Sequence, residues 1–189
     1  MNTPAHLLLG LAVCAQRDKP RTGRFAAIGS LAPDLSLYLM AGAALFAFQI
    51  PPERVFGELY FSAEWQTVFA IDNSFILWGA AFALAAWLRN APGLAMAGAG
   101  LLHLATDFPL HNDDARSHFW PLTDWVFESP LSYWDSNHHV GAVAPVTLLV
   151  VLISAVVVWR RWPSWPARIG VMAICAVEIW VVRQWLLFF

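Results

Sequence analysis

Five apolar runs, residues 25–50, 70–88, 94–110, 140–159 and 169–188, take up most of the 189-residue chain. Each approaches or reaches the ~20 residues that a helix needs to cross a hydrocarbon core about 30 Å thick, and each is too long for a barrel strand. A lipid-exposed backbone must satisfy its own hydrogen bonds, so runs of this length predict an all-α, polytopic helical bundle with five spans. Residues 4–15 are also apolar, but about twelve residues cannot cross the core alone and predict a short N-terminal helix, tilted or partly inserted. Charged residues are 13% of the chain, against roughly a quarter in ordinary soluble domains. That leaves no room for a soluble second domain, and residues 1–189 read as a single membrane domain.

The few charges fix an expected orientation, because Lys and Arg gather on the cytoplasmic side. Arg17, Lys19, Arg21 and Arg24 mark one inside loop, Arg89 a second, and Arg160, Arg161 and Arg168 a third. Residues 51–69 and 111–139 contain only Arg54 and Arg116 as basic members and are expected outside, with both chain ends. The basic residues follow the first apolar run rather than precede it, the reverse of a cleaved signal. Cys14 and Cys175 lie in separate apolar stretches and predict neither a disulfide framework nor a thiolate knuckle. With a net charge of -2 and no basic stripe, nucleic acid is not an expected partner; membrane lipid is. Trp120, Trp125, Tyr133 and Trp134 predict an amphipathic segment of the second outer loop lying on the membrane surface.

Under this topology all six histidines, His6, His103, His111, His118, His138 and His139, fall near the same side. The sharpest pattern is His103-x-x-x-Asp107, whose spacing of four puts imidazole and carboxylate on one helix face, one turn apart. That is a geometry for a divalent ion or for a structural pair. Asp34 lies about ten residues into an apolar run, where an ionised group is costly unless it is paired or faces a cavity. Pro33 disfavours helix at Ala32 and predicts an opening there. The loop after Asp107 adds His111, Asp113, Asp114 and His118. Imidazole with carboxylate suits zinc, manganese or iron, and carboxylate with water suits magnesium. Gly98-Ala99-Gly100 reads as a small-residue packing face, and Glu178 and Arg183 as a pair or as groups facing the bundle interior.

The strings Thr3-Pro4-Ala5-His6, Gly29-Ser30-Leu31-Ala32-Pro33-Asp34, His103-Leu104-Ala105-Thr106-Asp107 and Phe119-Trp120-Pro121-Leu122, in this order, resemble the LexA-regulated, membrane-bound, predicted metal-dependent hydrolases. These are small multi-span proteins of the bacterial inner membrane, and the resemblance runs through most of residues 1–135. It implies His6, Asp34, His103 and Asp107 as metal-associated positions. Where family members carry Thr-His-Ser, this chain reads Asp72-Asn73-Ser74, which implies Asp72 as an oxygen ligand in place of imidazole, or a site without activity. The string around residues 113–135 also resembles bacterial membrane proteins labelled as cobalamin biosynthesis proteins, yet nothing here resembles the amidotransferase or nucleotide-binding parts of such an enzyme.

Three functions are therefore expected in descending order. The first is a metal-dependent hydrolase of the inner membrane acting on a lipid-like phosphoester, with Asp72, Asp113 or His118 as second ligand or base. The second is a metal-binding or metal-transporting protein without hydrolysis, and the third a structural or accessory membrane protein.

Overall fold

The computed structural model describes residues 1–188, and among these the secondary structure is helical apart from one isolated bridge between Gln16 and Lys19. Eight α-helices run in chain order: α1 Thr3–Cys14, α2 Pro20–Gly42, α3 Pro52–Arg54, α4 Ala63–Asp72, α5 Phe75–Trp87, α6 Ala91–Asp107, α7 Val140–Arg161 and α8 Trp165–Phe188. Four segments are long and apolar enough to cross a membrane: Pro20–Ala47, Ala63–Trp87, Val140–Arg161 and Trp165–Leu187. The expected fifth, α6, has only 17 residues. It is cut short at one end by Asn90, whose Oδ1 accepts from the Gly93 N–H at 3.1 Å, and at the other by the turn into Pro109.

The short helix α1 lies at the centre, packed against α2, α6, α7 and α8. At 12 residues it is about 18 Å long. Its Ala5, His6, Leu8, Gly10 and Ala12 are buried, as expected of a helix that is enclosed rather than lipid-facing. Small residues permit this crowding. A Cβ at Gly29 of α2 would stand 2.0 Å from the Met96 carbonyl oxygen of α6, one at Gly10 would stand 1.9 Å from Ser30 Oγ, and one at Gly100 would meet the Trp78 ring at 2.3 Å. Ala95 and Ala99 of α6 join Ala15 and Ala26 in one core cluster, so the expected packing face on α6 is present.

Two expectations about chain breaks are exchanged. The helix α2 runs through Pro33 without opening. Pro33 has no N–H for the Gly29 carbonyl, and the backbone oxygens around it turn to tertiary partners instead. Ser30 O faces His103 Nδ1 at 2.8 Å, and Pro33 O accepts from Asn73 Nδ2 at 3.1 Å. The break falls at Asn73-Ser74, between α4 and α5, where Ser74 Oγ caps α5 by accepting from the Leu77 N–H at 3.1 Å. The loop at residues 51–69 is largely helical: it holds α3, a π-turn at Val55–Leu59 and most of α4.

The two ends of the bundle differ. Arg161, at the end of α7, donates to the Leu11 and Ala15 carbonyl oxygens at the C-terminal end of α1. At the opposite end, Asn2 donates to Glu178 Oε1 at 3.1 Å and accepts from Trp185 Nε1 at 2.9 Å. Glu178 thus faces the bundle interior, and Arg183 is exposed. Residues 108–139 fold over this second end as an irregular loop with one 3-10 turn, Ser136–His138. Trp125 of this loop is 53% exposed, whereas Trp134 turns inward to Asp114, so the aromatic residues do not form the single surface-lying segment expected.

Candidate metal centre

Five side chains meet where α1, α2 and α6 converge beneath the loop. His6 comes from the first turns of α1, Asp34 from the middle of α2, His103 and Asp107 from the last turn and a half of α6, and His111 from the loop just beyond. His6 Nε2 lies 3.0 Å from Asp107 Oδ1 and His103 Nε2 lies 3.2 Å from Asp107 Oδ2. Asp34 Oδ1 is 3.7 Å from His103 Nε2, and His111 Nε2 is 3.5 Å from Asp107 Oδ2. One donor atom each from His6, His103 and Asp107 lies within 4.8 Å of the other two. All three residues are buried.

The outer contacts of the two imidazoles fix which nitrogen faces inward. His103 Nδ1 donates to the Ser30 carbonyl oxygen at 2.8 Å, since a carbonyl can only accept. Thr106 Oγ1 directs its single hydrogen at the Leu102 and His103 carbonyl oxygens, at 3.0 and 2.9 Å, and so accepts from His6 Nδ1 at 3.4 Å. With Nδ1 carrying the hydrogen in both rings, both Nε2 atoms turn a lone pair toward the Asp107 carboxylate, and neither has a hydrogen-bond partner. The rings are stacked, with centroids 3.6 Å apart. Two imidazole lone pairs and a carboxylate aimed at one buried point repel one another unless a cation lies between them. This donor set, two imidazole nitrogens backed by a carbonyl and a hydroxyl, plus carboxylate oxygen, could hold a metal ion.

Asp34 is held by Thr3, whose Oγ1 donates to Oδ2 at 3.2 Å while accepting from the Tyr38 hydroxyl at 2.5 Å. His111 is gripped on its other side by Asp114 Oδ2, 2.8 Å from Nδ1, and Trp134 Nε1 donates to the same oxygen at 3.2 Å. Burial works against a charged His111, but the Asp107 and Asp114 carboxylates outweigh it and raise its pKa above 6.5. Burial likewise works against the Asp114 carboxylate, and the His111 and Trp134 contacts overcome it and hold it below its ordinary value.

Above this cluster opens a cavity of about 930 Å³. Asp34, Asp107, His111, Asp113, Asp114 and Arg116 supply polar wall, while Leu37, Phe56, Phe61, Val177, Val181 and Trp185 supply apolar wall. A mostly apolar cavity with a few convergent polar groups is the usual form of a small-molecule site.

The four positions implied as metal-associated, His6, Asp34, His103 and Asp107, are thus brought together, and Asp113 lines the cavity above them. Asp72 and His118 lie apart from it. Asp72 ends α4 and its carbonyl accepts from Trp78 Nε1 at 2.7 Å, while its neighbours Asn73 and Ser74 tie α5 to Pro33 and to the Trp120 carbonyl. His118 is packed between Phe75 and Phe108, with Nδ1 donating to the Arg116 carbonyl at 2.8 Å. Burial pushes its pKa down to about 4, so it is a neutral member of an aromatic cluster. His138 pairs with Asp135 at 2.5 Å, away from the cavity lining. Sequence reasoning placed His111 in the polar loop without giving it a role at the site, and read Arg116 only as a loop cation. For His111 the available signal was its own spacing of four from Asp107, which repeats the spacing between His103 and Asp107. Compared with known proteins, the chain matches no family model, no curated protein and no solved structure.

Proposed function

We propose that this chain is a metal-dependent hydrolase of a bacterial inner membrane, in keeping with the family it resembles, and that it acts on a lipid-like phosphoester at the outer face. The observation that carries this reading is the pair of buried Nε2 atoms of His6 and His103, turned without hydrogen-bond partners toward Asp107 at the floor of an amphipathic cavity. His6, His103 and Asp107, with Asp34 beside them, would hold a divalent ion, zinc before manganese, iron or magnesium, which when bound supplies Lewis acidity and an acidified water. Asp113, on the cavity wall, accepts a proton from water at a carboxylate oxygen as the water oxygen bonds to phosphorus, and returns that proton to the departing alkoxide as the phosphorus–oxygen ester bond breaks, so that the alcohol leaves. Asp34, fixed by Thr3, orients the floor of the site.

Transport of the ion is the weaker reading, because below His6 and His103 the α1–α2–α6 junction closes with Gly10, Ser30 and Ala99 in tight contact. The test is turnover of a phosphatidate-type phosphoester by the purified chain. Release of product should stop with chelator, return with zinc, and fall at least about a hundredfold in His103→Ala and Asp107→Ala, as loss of a metal ligand entails. Full turnover in both variants sinks the proposal.

A further inference from the structure

Arg116 is 6% exposed, yet it lines the cavity. Its guanidinium lies 4.7 Å from the centroid of the Phe69 ring, and among the described residues no carboxylate stands within ion-pair distance of it. Its Nε is buried without a hydrogen-bond partner. Burial opposes this charge, while the hydrogen-bonded Tyr60 side chain and the field of Asp34 favour it, so among the described residues the group is satisfied only by a neutral hydroxyl and a carboxylate beyond ion-pair distance. A buried cation without a direct counter-ion is expensive to keep, and a planar fork of N–H donors matches phosphate or carboxylate oxygens better than any other side chain does. Among carboxylates that repel an anion, Arg116 is the arginine on the cavity wall from which an anionic ligand can be accepted.

A second apolar groove of about 290 Å³ adjoins the first cavity and shares Thr3, Pro4 and Val177 with it. Its remaining wall is Leu7, Leu31, Ala173 and Ile174, contributed by α1, α2 and α8. It therefore runs from the polar end of the bundle toward its middle, in the direction an acyl chain takes below a headgroup.

We propose that Arg116 binds the phosphate oxygens of an anionic lipid whose acyl chain lies in the groove between α2 and α8. The assignment rests on the hydrolase reading only for its choice of phosphate over other anions, and it is tested by binding rather than turnover. The probe is a phosphonate analogue of dioctanoyl phosphatidic acid, which cannot be hydrolysed at the bridging position, with dioctanoylglycerol and inorganic phosphate as comparisons, titrated by calorimetry into the full chain in detergent. Arg116→Gln should weaken phosphonate binding at least about tenfold, and Arg116→Lys should weaken it less. Both should leave metal content unchanged. Leu31→Trp should weaken phosphonate binding and leave inorganic phosphate alone.

Equal binding by Arg116→Gln, or by Arg116→Lys and wild type where the Gln variant fails to fold, overturns the role of Arg116. Dioctanoylglycerol binding as tightly as the phosphonate does the same. Inorganic phosphate binding as tightly as the phosphonate, or Leu31→Trp without effect, overturns the lipid. Loss of phosphonate binding in Arg116→Gln without turnover of any phosphoester would leave the anion site standing and remove the hydrolase. Chelator-sensitive turnover with unchanged phosphonate binding would do the reverse.

Discussion

The α7–α8 hairpin and the α1–α2–α6 cluster divide the work of a membrane protein unequally. Val140–Arg161 has a mean hydropathy of 2.6 and Trp165–Leu187 one of 1.6, whereas Pro20–Ala47 reaches 1.3 and α1 and α6 are too short to count as spans. The hairpin presents Val146, Leu149, Ile153, Val156 and Ile169 outward, as lipid-facing helices do. The cluster instead turns Gly10, Gly29, His6, Ser30, His103 and Asp34 toward one another. Helices weak in apolar character can bear a polar site only where other helices shield them, and helices rich in apolar character shield well but carry few functional groups. Insertion and chemistry are therefore separable here, and substitutions can test that separation.

The largest effect is expected where the cluster is tightest. Gly29→Leu places a side chain into the Met96 carbonyl, so α2 and α6 must part. Metal retention should disappear while the chain still inserts; retention equal to wild type would mean the close approach does not build the site. Next comes Thr106→Val, which removes the hydroxyl accepting from His6 Nδ1. Loss of such an outer contact should lower metal affinity about ten- to a hundredfold, measured by competition with a chelating dye. In the hairpin, Val151→Ala should cost about 2 kcal/mol of stability by lost packing, read from thermal melting in detergent, with metal affinity unchanged. A change in metal affinity there would join the two regions that the comparison separates.

The smallest effect concerns His118 and pH. Its folded pKa of about 4 lies below the ordinary 6.5, so the unfolded chain binds more protons between these values and stability falls as pH drops through that window. From pH 6.5 to 5.5 the loss should be about 1 kcal/mol. His118→Phe, which keeps an aromatic ring between Phe75 and Phe108, should flatten that slope. An unchanged slope would place the acid sensitivity elsewhere.

How far the sequence reveals this arrangement depends on how local each signal is. His103 and Asp107 are legible because helical spacing alone puts them on one face, and the apolar runs are legible because length and composition decide spanning. His6 and Asp34 stand out only through the resemblance and the cost of a charge in an apolar run. Whether they reach His103 depends on Gly10 and Gly29 admitting close helix contact, which no periodicity announces. Pro33 misleads because tertiary partners, His103 at Ser30 O and Asn73 at Pro33 O, absorb the backbone oxygens it disturbs. Asp72 and His118 have the right chemistry in the wrong places, and Arg116 looks like an isolated loop cation until the loop folds it over Phe69.

The central claim is that His6, His103 and Asp107 form a metal centre, and the most direct test is elemental analysis of the purified chain beside His103→Ala and Asp107→Ala. The geometry predicts about one divalent ion per chain in the wild type, as one cluster of this kind implies, and its loss in both variants. A wild-type chain without metal after purification in zinc-containing buffer, or variants that keep the same content, would contradict it.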